Sequence, residues 1–354
     1  MDLSSYTTLR LGGPAGRFVE ATTDAQLSAA VCETAGAGEP LLVLAGGSNV
    51  VVADEGFPGV VVRVATRGVE AEGDVLHVAA GEPWEPFVAR MVAEGRSGIE
   101  CLSGIPGSVG ATPIQNVGAY GQEVGETVVG VRALDRADGQ IRDLAPVDCG
   151  FAYRSSAFKR EPGRWVVLRV SFALGRGGRS RPIRYAELAR TLGVVVGASA
   201  PVDAVRQAVL GLRKGKGMVI DPADPDSVSA GSFFTNPILG VEQFTALRAR
   251  VHDRLGAQAA PPAWPEADGR GVKTSAAWLI ERAGFTRGYG DPDGIAISRK
   301  HVLALTNRGC GTTAQLVALA REIASGVQEA FGVGLVPEPV FVGHAWEGVA
   351  RVGE

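Results

Sequence analysis

The part of this sequence most suited to binding a ligand is a glycine-rich segment at residues 104–123, GIPGSVGATPIQNVGAYGQE. Its five glycines and two prolines do not fit a packed helix or strand, because each glycine there costs conformational entropy. Closely spaced glycines instead let backbone N–H groups approach a ligand, and such groups bind phosphate oxygens without lysine or arginine. Gln115 and Asn116 could read the edge of a heterocycle, and Tyr120 could stack on it. The alternative is a long surface loop, but long loops in compact domains are usually functional.

Two further segments place a polar side chain among aromatic or small residues. In FAYRSSAFK (151–159), Arg154 could clamp a carboxylate through two N–H groups, although a salt-bridged surface turn is the commoner use of an arginine. In SAGSFFTNP (229–237), Ser232 lies between a glycine and two phenylalanines, which predicts a tight, water-poor pocket with Asn236 available for a hydrogen bond. The alternative is a turn leading into a core strand. A hydrolase serine is disfavoured because the sequence has no GxSxG elbow.

Glu338 is the only charged residue in LVPEPVFVG (335–343), part of the last strand, which is predicted over Gly334–Gly343. Prolines on both sides restrict its backbone. A lone carboxylate in such apolar surroundings tends to be desolvated, which disfavours its ionised form, and buried carboxylates of this kind are candidates for function. An exposed glutamate on an edge strand is the alternative.

Two turns resemble nucleotide-binding loops to different degrees. AGGSN (45–49) is followed by β-branched residues and is therefore predicted to join two strands, whereas a Rossmann phosphate turn opens a helix. Its glycines and Ser48 could still surround a pyrophosphate, the alternative being a plain hairpin turn. GCGTTA (309–314) has the strand–GxGxxA–helix form of a dinucleotide fingerprint. Too little chain follows it for a Rossmann half, so we interpret it as a structural turn with Thr312 or Thr313 as helix N-cap.

Composition limits the class of protein. The 354 residues suffice for two or three domains, and 45% hydrophobic with 21% charged residues is typical of a soluble globular protein. A net charge of −3 without a basic run argues against nucleic acid as a partner. The absence of a signal peptide and of a long apolar span predicts a cytoplasmic protein with reduced cysteines and no membrane partner. The four histidines and four cysteines are scattered, so no metal site is expected.

Together, these segments resemble the UDP-N-acetylenolpyruvoylglucosamine reductase family, flavoenzymes of bacterial cell-wall precursor synthesis. The resemblance covers nearly the whole chain and is carried by seven motifs in order: TTLRLGGPA, AGGSNVVV, GIPGSVGATPIQNVGAYG, FAYRSSAFK, SAGSFFTNP, GVKTSAAWLIERAG and LVPEPVFVG. It implies an α+β fold that holds FAD in the manner of the vanillyl-alcohol-oxidase (PCMH) type. The implied domains are FAD-binding subdomains at residues 1–64 and 65–214, the second packed against a returning C-terminal strand within 331–354, and a UDP-sugar-binding domain at residues 215–330.

The implied reaction is the NADPH-dependent reduction of UDP-N-acetylglucosamine enolpyruvate to UDP-N-acetylmuramate through non-covalently bound FAD. Hydride passes from NADPH to the flavin and then to C3 of the enolpyruvyl group. By resemblance, Arg154 and Glu338 stabilise the charge that develops on the carboxylate, and Ser232 donates a proton to C2. We expect a monomer. The alternatives are another FAD oxidoreductase or oxidase of the same fold, and a UDP-sugar-binding module without flavin.

The resemblance also implies contacts to both ligands. The cofactor residues would be Gly46, Gly47, Ser48, Asn49, Gly104, Pro106, Gly107, Gly110, Ala111, Gln115, Asn116, Gly118 and Tyr120. The substrate residues would be Tyr153, Tyr185, Lys216, Asn236 and Lys273, with Lys214 an alternative to Lys216 at the UDP phosphates. Tyr185 lies in IRYAELART, a segment similar to the tyrosine loop that closes on the substrate in one subtype of the family.

Overall fold

The structure is a computed structural model that describes residues 1–266, 269 and 271–346. Its strands, in chain order, are β1 Ala15–Ala21, β2 Leu41–Leu44, β3 Val50–Val52, β4 Phe57–Val64, β5 Val69–Glu72, β6 Val75–Ala79, β7 Gly118–Ala119, β8 Gln122–Glu123, β9 Val128–Asp135, β10 Gln140–Leu144, β11 Trp165–Ala173, β12 Ser229–Ser232, β13 Ile238–Gly240, β14 Trp264–Pro265, β15 Gly271–Lys273, β16 Ile295–Ile297, β17 Ala304–Asn307 and β18 Val340–Val342. Its α-helices are α1 Asp24–Gly36, α2 Trp84–Ala93, α3 Pro146–Cys149, α4 Ala157–Arg160, α5 Ala186–Leu192, α6 Val202–Gly215, α7 Val241–Leu255, α8 Ala276–Arg282 and α9 Thr313–Phe331.

The first unit is a parallel three-stranded sheet in the order β1–β4–β2, with α1 packed on it. Its central strand, β4, reads as a nearly continuous apolar run because most of its side chains are buried between neighbouring layers. Thr23 is the N-cap of α1, since its side chain accepts a hydrogen bond from the backbone N–H of Gln26.

The chain returns to this first unit near its end. β18 pairs in parallel with β3, and Val342 shares a small core with Leu3 and Val61. The sequence predicts a longer strand that packs on residues 65–214, and both parts of that prediction are wrong. Pro337 and Pro339 have no backbone N–H to donate to a ladder, so pairing begins only after them. Residues 347–354 of the expected segment lie outside the described residues.

The second unit is an antiparallel five-stranded sheet in the order β10–β9–β11–β6–β5, and its β9–β10 hairpin turns at residues 136–139. α2 packs on this sheet through Trp84 and Phe87, whose ring centroids lie 6.2 and 5.6 Å from that of Phe172. A single hydrophobic core extends from α1 and β4 to α2 and β11. The first two units are therefore held rigidly against each other, which fixes the loops between them.

The C-terminal unit contains two three-stranded sheets, β12–β17–β16 and β13–β15–β14, packed with α7, α8 and α9. Apolar side chains along one face of α9 are buried there, namely Leu316, Leu319, Ile323 and Val327. Leu9 and Leu11 from the start of the chain join the same core, which ties this unit to the first one.

The turn before α9 is structural, as predicted. Thr312 is the N-cap, and it exchanges two hydrogen bonds with Gln315 in a capping box. The carboxylate of Asp54 accepts hydrogen bonds from the backbone N–H groups of Thr313, at 2.8 Å, and Ala314, at 2.9 Å. A helix N-terminus favours a negative charge, and here the protein supplies that charge from its own loop.

Neither a membrane-spanning helix nor a cluster of metal-binding side chains is found in the described part of the chain. None of its helices combines the length and apolar character that crossing a bilayer requires. Nor do its histidine, cysteine, aspartate and glutamate side chains come together in groups of three or more that could hold a metal ion.

Candidate active site

Two glycine-containing loops meet between the first two units, at residues 45–49 and 104–112. A Cβ atom on Gly46 would lie only 2.6 Å from the Cα of Gly107, so a side chain there would push the loops apart. Gly107 also adopts φ +119°, which residues with a Cβ rarely accept. The absence of a side chain at Gly46 and Gly107 therefore allows the two loops to pack closely against each other. The 45–49 loop joins β2 and β3, which belong to different sheets, so it is the predicted strand–loop–strand connection and not a hairpin.

A cavity of about 510 Å³ is bounded by these loops, by residues 153–167 and by residues 227–236 of the C-terminal unit. Its volume is in the range of small-molecule sites. Most of the site residues predicted from the sequence line it, namely Gly46, Gly47, Ser48, Asn49, Pro106, Gly107, Gly110, Ala111, Gln115, Gly118, Tyr153, Arg154, Ser232, Asn236 and Glu338. The fold thus brings Arg154, Ser232 and Glu338 to one cavity from three distant parts of the sequence.

Arg154 is held with its guanidinium beside the carboxylate of Glu338. Its Nε lies 3.2 Å from Glu338 Oε1, and its Nη2 donates a 2.7 Å hydrogen bond to the carbonyl of Gly118. The two side chains are only 21% and 13% exposed, so the alternative of a salt-bridged surface turn is wrong. Arg154 has φ +50°, a conformation that costs a side-chain-bearing residue about 1–3 kcal/mol and that clusters at functional sites.

Glu338 lies in an irregular segment before β18 instead of inside a strand. Its carboxylate accepts a hydrogen bond from Gln115 Nε2 at 3.2 Å, and its backbone carbonyl accepts one from Asn49 Nδ2 at 3.2 Å. Burial raises the pKa of the Glu338 carboxyl, and the positive charges of Arg154 and Lys159 only partly oppose this effect. The predicted desolvated carboxyl group is confirmed, and the alternative of an exposed edge-strand glutamate is wrong.

Ser232 ends β12 close to the backbone of Glu338. The next residues, Phe233 and Phe234, are buried in the C-terminal core and anchor the end of this strand. The carbonyl of Phe233 accepts a 2.8 Å hydrogen bond from the backbone N–H of Glu338, which holds the two segments together. Asn236 follows on the cavity wall, but its Oδ1 already accepts a 3.0 Å hydrogen bond from the backbone N–H of Ala276, the first residue of α8. The amide N–H₂ group of Asn236 takes no part in this hydrogen bond.

Asn116 and Gly104 do not line the cavity, contrary to the prediction. Asn116 is 2% exposed, and its amide bonds to Glu123 Oε2 at 2.6 Å, the Ala152 carbonyl at 3.0 Å and the Gly125 N–H at 2.9 Å. These contacts order the turn around it and leave no free edge for a heterocycle. Sequence spacing did not reveal this structural role of Asn116, because its three hydrogen-bond partners approach it only once the loop is folded.

Tyr120 lies in a separate group with Tyr185, Glu187 and Lys216, which we call the rim cluster. The rings of Tyr120 and Tyr185 are perpendicular, with centroids 5.4 Å apart, and Lys216 Nζ lies 5.6 Å from the Tyr120 centroid. Lys216 Nζ also forms a 2.9 Å ion pair with Glu187. Burial alone would lower the pKa of Lys216, but the hydrogen bond to Glu187 and the charges of Glu187, Tyr120 and Tyr185 together outweigh it, and the pKa is raised. Tyr120 is therefore grouped with the predicted substrate residues and not with the predicted cofactor residues.

Lys273, the remaining predicted substrate residue, approaches the cavity indirectly. Its Nζ lies 4.6 Å from the ring centroid of Tyr153, which itself lines the cavity, and 3.7 Å from Glu266 Oε1. This contact is a cation–π interaction that connects the C-terminal unit to the 151–159 segment.

Sequence reasoning missed several polar residues of the cavity. Ser108 Oγ, Arg136 Nε, Trp165 Nε1 and Arg213 Nε are buried, belong to residues that line the cavity, and have no hydrogen-bond partner among the described residues. Buried polar atoms in native proteins are nearly always paired, so this concentration indicates a ligand site. Only Ser108 lies within a segment that the sequence singles out. Arg136 follows β9, Trp165 begins β11 and Arg213 lies in α6, where no sequence pattern distinguishes them.

Comparison with known proteins identifies the family. Residues 222–342 match the model of the UDP-N-acetylenolpyruvoylglucosamine reductase C-terminal domain, and residues 15–145 match that of an FAD binding domain. The chain is 59% identical over 344 residues to the UDP-N-acetylenolpyruvoylglucosamine reductase of Streptomyces coelicolor, covering 97% of this chain and 89% of that protein. It is 58% identical over 346 residues to the protein of the same name from Thermobifida fusca, with 96% of each covered. The chain belongs to the UDP-N-acetylenolpyruvoylglucosamine reductase family.

A crystal structure of the UDP-N-acetylenolpyruvylglucosamine reductase from Thermus caldophilus has the same fold. It matches this reductase with a TM-score of 0.65 and 26% sequence identity, over 96% of this chain and 97% of the other. The predicted α+β architecture, with an FAD-binding fold of the vanillyl-alcohol-oxidase type followed by a C-terminal α+β domain, is confirmed.

The residues of the cavity fit FAD, the cofactor of this reductase family. In the part of the chain that the structure describes, four cationic side chains line it against one carboxylate, Glu338, which suits a ligand that carries a diphosphate. The unpaired buried atoms described above provide hydrogen-bonding groups for a polar ligand. Among the described residues, neither a cysteine nor a histidine lines the cavity.

Proposed function

We propose that this reductase converts UDP-N-acetylglucosamine enolpyruvate to UDP-N-acetylmuramate with Arg154, Ser232 and Glu338 as its catalytic residues. The observation that carries this proposal is their convergence on one cavity whose other walls belong to the FAD-binding fold. Bound FAD supplies the hydride, which it receives from NADPH. The chain's own residues then position the enolpyruvyl group, stabilise charge on it and provide a proton.

Arg154 and Glu338 act on the carboxylate of the enolpyruvyl group. As hydride adds to C3, an electron pair shifts from the double bond towards this carboxylate, which gains negative charge. The guanidinium of Arg154 is pre-positioned by its hydrogen bond to the Gly118 carbonyl and by its ion pair with Glu338, and because a guanidinium has five N–H donors, N–H groups remain for a ligand carboxylate. Such a preorganised donor contributes about 3 kcal/mol to transition-state stabilisation. The raised pKa of Glu338 favours its protonated form, which does not repel the growing charge.

Ser232 donates the proton that completes the reduction. Its hydroxyl hydrogen passes to C2 of the substrate as the negative charge collapses, and the resulting alkoxide recovers a proton from solvent. Serine is a weak acid, so it acts only because the intermediate at C2 is strongly basic. Its place at the end of an anchored strand holds its backbone close to that of Glu338, which supports the positioning that proton transfer requires.

The rest of the substrate extends over the rim cluster. Lys216, supported by Tyr120 and Tyr185, holds the UDP phosphates, while Tyr153, Asn236 and Lys273 contact the sugar end near the cavity. We take Lys216 in preference to Lys214 because Lys216 is the one packed against the tyrosine. The FAD subdomains then occupy residues 1–64 and 65–214, and the substrate domain residues 215–330. We further infer a monomeric protein that works in the cytoplasm without nucleic acid or membrane partners.

The decisive experiment follows the visible spectrum of the protein reconstituted with FAD under anaerobic conditions. NADPH should bleach the flavin band, and UDP-N-acetylglucosamine enolpyruvate should restore it with stoichiometric formation of the lactyl ether. UDP-N-acetylglucosamine, which lacks the enolpyruvyl group, is the control and should not restore it. Rapid reoxidation by oxygen and not by the enolpyruvyl compound would favour an oxidase of the same fold. Acid precipitation should release all the yellow colour, because the flavin is held non-covalently.

A further inference from the structure

Four cations line the cavity, and three of them already have partners within the protein. Arg136 donates to the Gly163 carbonyl, Arg154 to the Gly118 carbonyl, and Arg213 to the Met218 carbonyl, at 2.6 to 2.7 Å. Lys159 is the fourth. Among the described residues, no hydrogen-bond acceptor and no carboxylate within 4 Å engages its Nζ.

Lys159 is nevertheless placed firmly. It lies in the short helix α4, where the side chain of Ser156 caps the helix by accepting a hydrogen bond from the backbone N–H of Lys159. The preceding Phe158 is buried in the core and anchors this turn. The Lys159 side chain is half-buried, and burial lowers the pKa of its ammonium group, an effect that the nearby Glu338 carboxylate opposes.

Partial burial reduces the hydration of the Lys159 ammonium, and a charge that loses hydration is stabilised by a compensating charge or hydrogen bond. The Glu338 carboxylate is close enough to influence Lys159, but it is bound to Arg154 and Gln115 instead. The position of Lys159 therefore suits a negative charge that arrives with the ligand, at the same end of the cavity as Arg154 and Glu338.

We propose that Lys159 binds the ligands of this site by supplying the counter-charge for an anionic oxygen or ring atom at the Arg154–Glu338 end of the cavity. This proposal rests on the proposed function. Two sources provide such a charge: the enolpyruvyl carboxylate of the substrate, and the flavin ring once it is reduced and carries negative charge. The FAD diphosphate is the competing partner, and the measurement of FAD affinity below separates it from these two.

The test compares Lys159→Met, Lys159→Gln and Lys159→Arg in the FAD-loaded protein. Arg160→Met is the matched control, since it removes a cation from the same helix but from a side chain that is exposed and does not line the cavity. Three equilibrium quantities are measured: the midpoint potential of the bound flavin, the dissociation constant of the enolpyruvyl substrate from the oxidised enzyme, and the dissociation constant of FAD. Thermal unfolding of each apoprotein checks that the variants fold. If Lys159→Met does not fold, Lys159→Gln replaces it in the comparison.

Loss of the ammonium should weaken substrate binding about tenfold or more, as expected for a hydrogen bond to a charged group, or lower the midpoint potential by about 30 mV or more, which is a tenfold change for a two-electron couple. The first result identifies the substrate carboxylate as the partner, and the second the reduced flavin. Lys159→Arg should recover most of either loss, and Arg160→Met should show neither. Unchanged substrate affinity and potential would overturn the proposal, as would a change confined to FAD affinity, which would assign Lys159 to the diphosphate. Failure of the wild-type protein to be reoxidised by substrate would reject the proposed function, yet the potential would still report on Lys159.

Discussion

The cavity and the rim cluster hold their charged groups in different ways. In the cavity, Arg154 and Glu338 are mostly buried and are bound to each other and to neighbouring amides before any ligand arrives. In the rim cluster, Tyr185 is 42% exposed and Lys216 is paired with a carboxylate that is itself partly exposed. The first arrangement is preorganised for chemistry, where charge must be stabilised without reorganisation. In the second arrangement, Glu187 holds Lys216 in place, and a phosphate can replace Glu187 as the partner of this lysine.

The two regions also differ in what supports them. The cavity is bounded by loops that leave strands of two units sharing one core, and its strained Arg154 backbone is held by that packing. The rim cluster depends on α5 and the end of α6, which pack around a smaller core with Ile183, Leu188 and Val205. Substitutions in the cavity should therefore change the chemical step, and substitutions in the rim cluster should change binding.

The largest effect should come from Ser232→Ala. Flavin bleaching by NADPH requires no proton donor at C2 and should proceed at close to the normal rate. Reoxidation by the enolpyruvyl substrate should fall ~10²–10⁴-fold, as is typical when a positioned acid is lost. Rapid-mixing spectroscopy measures both half-reactions, and Ser232→Cys should recover part of the rate because a thiol is a stronger acid of similar size. An equal loss in both half-reactions would mean that Ser232 maintains the shape of the pocket instead.

Arg154→Lys should be the next most severe change, although the charge is kept. An ammonium cannot hold a carboxylate through two parallel N–H groups, and it cannot maintain the hydrogen bond to the Gly118 carbonyl in the same geometry. We expect a loss of about 10²-fold in kcat/KM for the enolpyruvyl substrate, the lower end of what removal of one preorganised donor costs. Steady-state kinetics at saturating NADPH provide the measurement, and near-normal turnover would remove Arg154 from its assigned role.

A smaller, pH-dependent effect should distinguish Glu338→Gln from the wild type. Because the pKa of Glu338 is raised, its protonated form persists to higher pH than that of an ordinary glutamate. If this form is the active one, the rate of reoxidation by substrate falls as pH rises through that pKa. Glutamine cannot ionise, so the variant should lose this limb of the profile and keep a hydrogen-bond donor. A variant profile that still falls in the same pH range would assign the titration to another group.

The sequence predicted much of the cavity because its residues lie in short motifs with unusual composition. Ser232 between glycine and phenylalanines and Glu338 between prolines are visible without a structure. No such pattern marks Arg136, Trp165 and Arg213. They lie in or directly beside ordinary strands and helices, and they come together only in the folded chain. Asp54 as the partner of the α9 N-terminus and β3 as the partner of β18 depend on pairings between segments more than 250 residues apart. Lys159 lies within a motif that the sequence singled out, but the motif itself indicates no role for this lysine. Its proposed role follows from the fold, in which its ammonium has no partner among the described residues.

The smallest effect, and the sharpest test of the difference between the two regions, should come from Glu187→Gln. If Glu187 only occupies Lys216 until a phosphate replaces it, its removal should lower the KM for the UDP-linked substrate and leave kcat unchanged. The gain should not exceed about fivefold, because partly exposed ion pairs contribute at most about 1 kcal/mol. Without Glu187, only Tyr120 and Tyr185 oppose the effect of burial and the pKa of Lys216 should fall, so the gain should disappear first at high pH. Glu242→Gln, an exposed change in the first turn of α7, is the control. A higher KM in Glu187→Gln would show instead that the ion pair positions Lys216, and the rim cluster would then be preorganised in the same sense as the cavity.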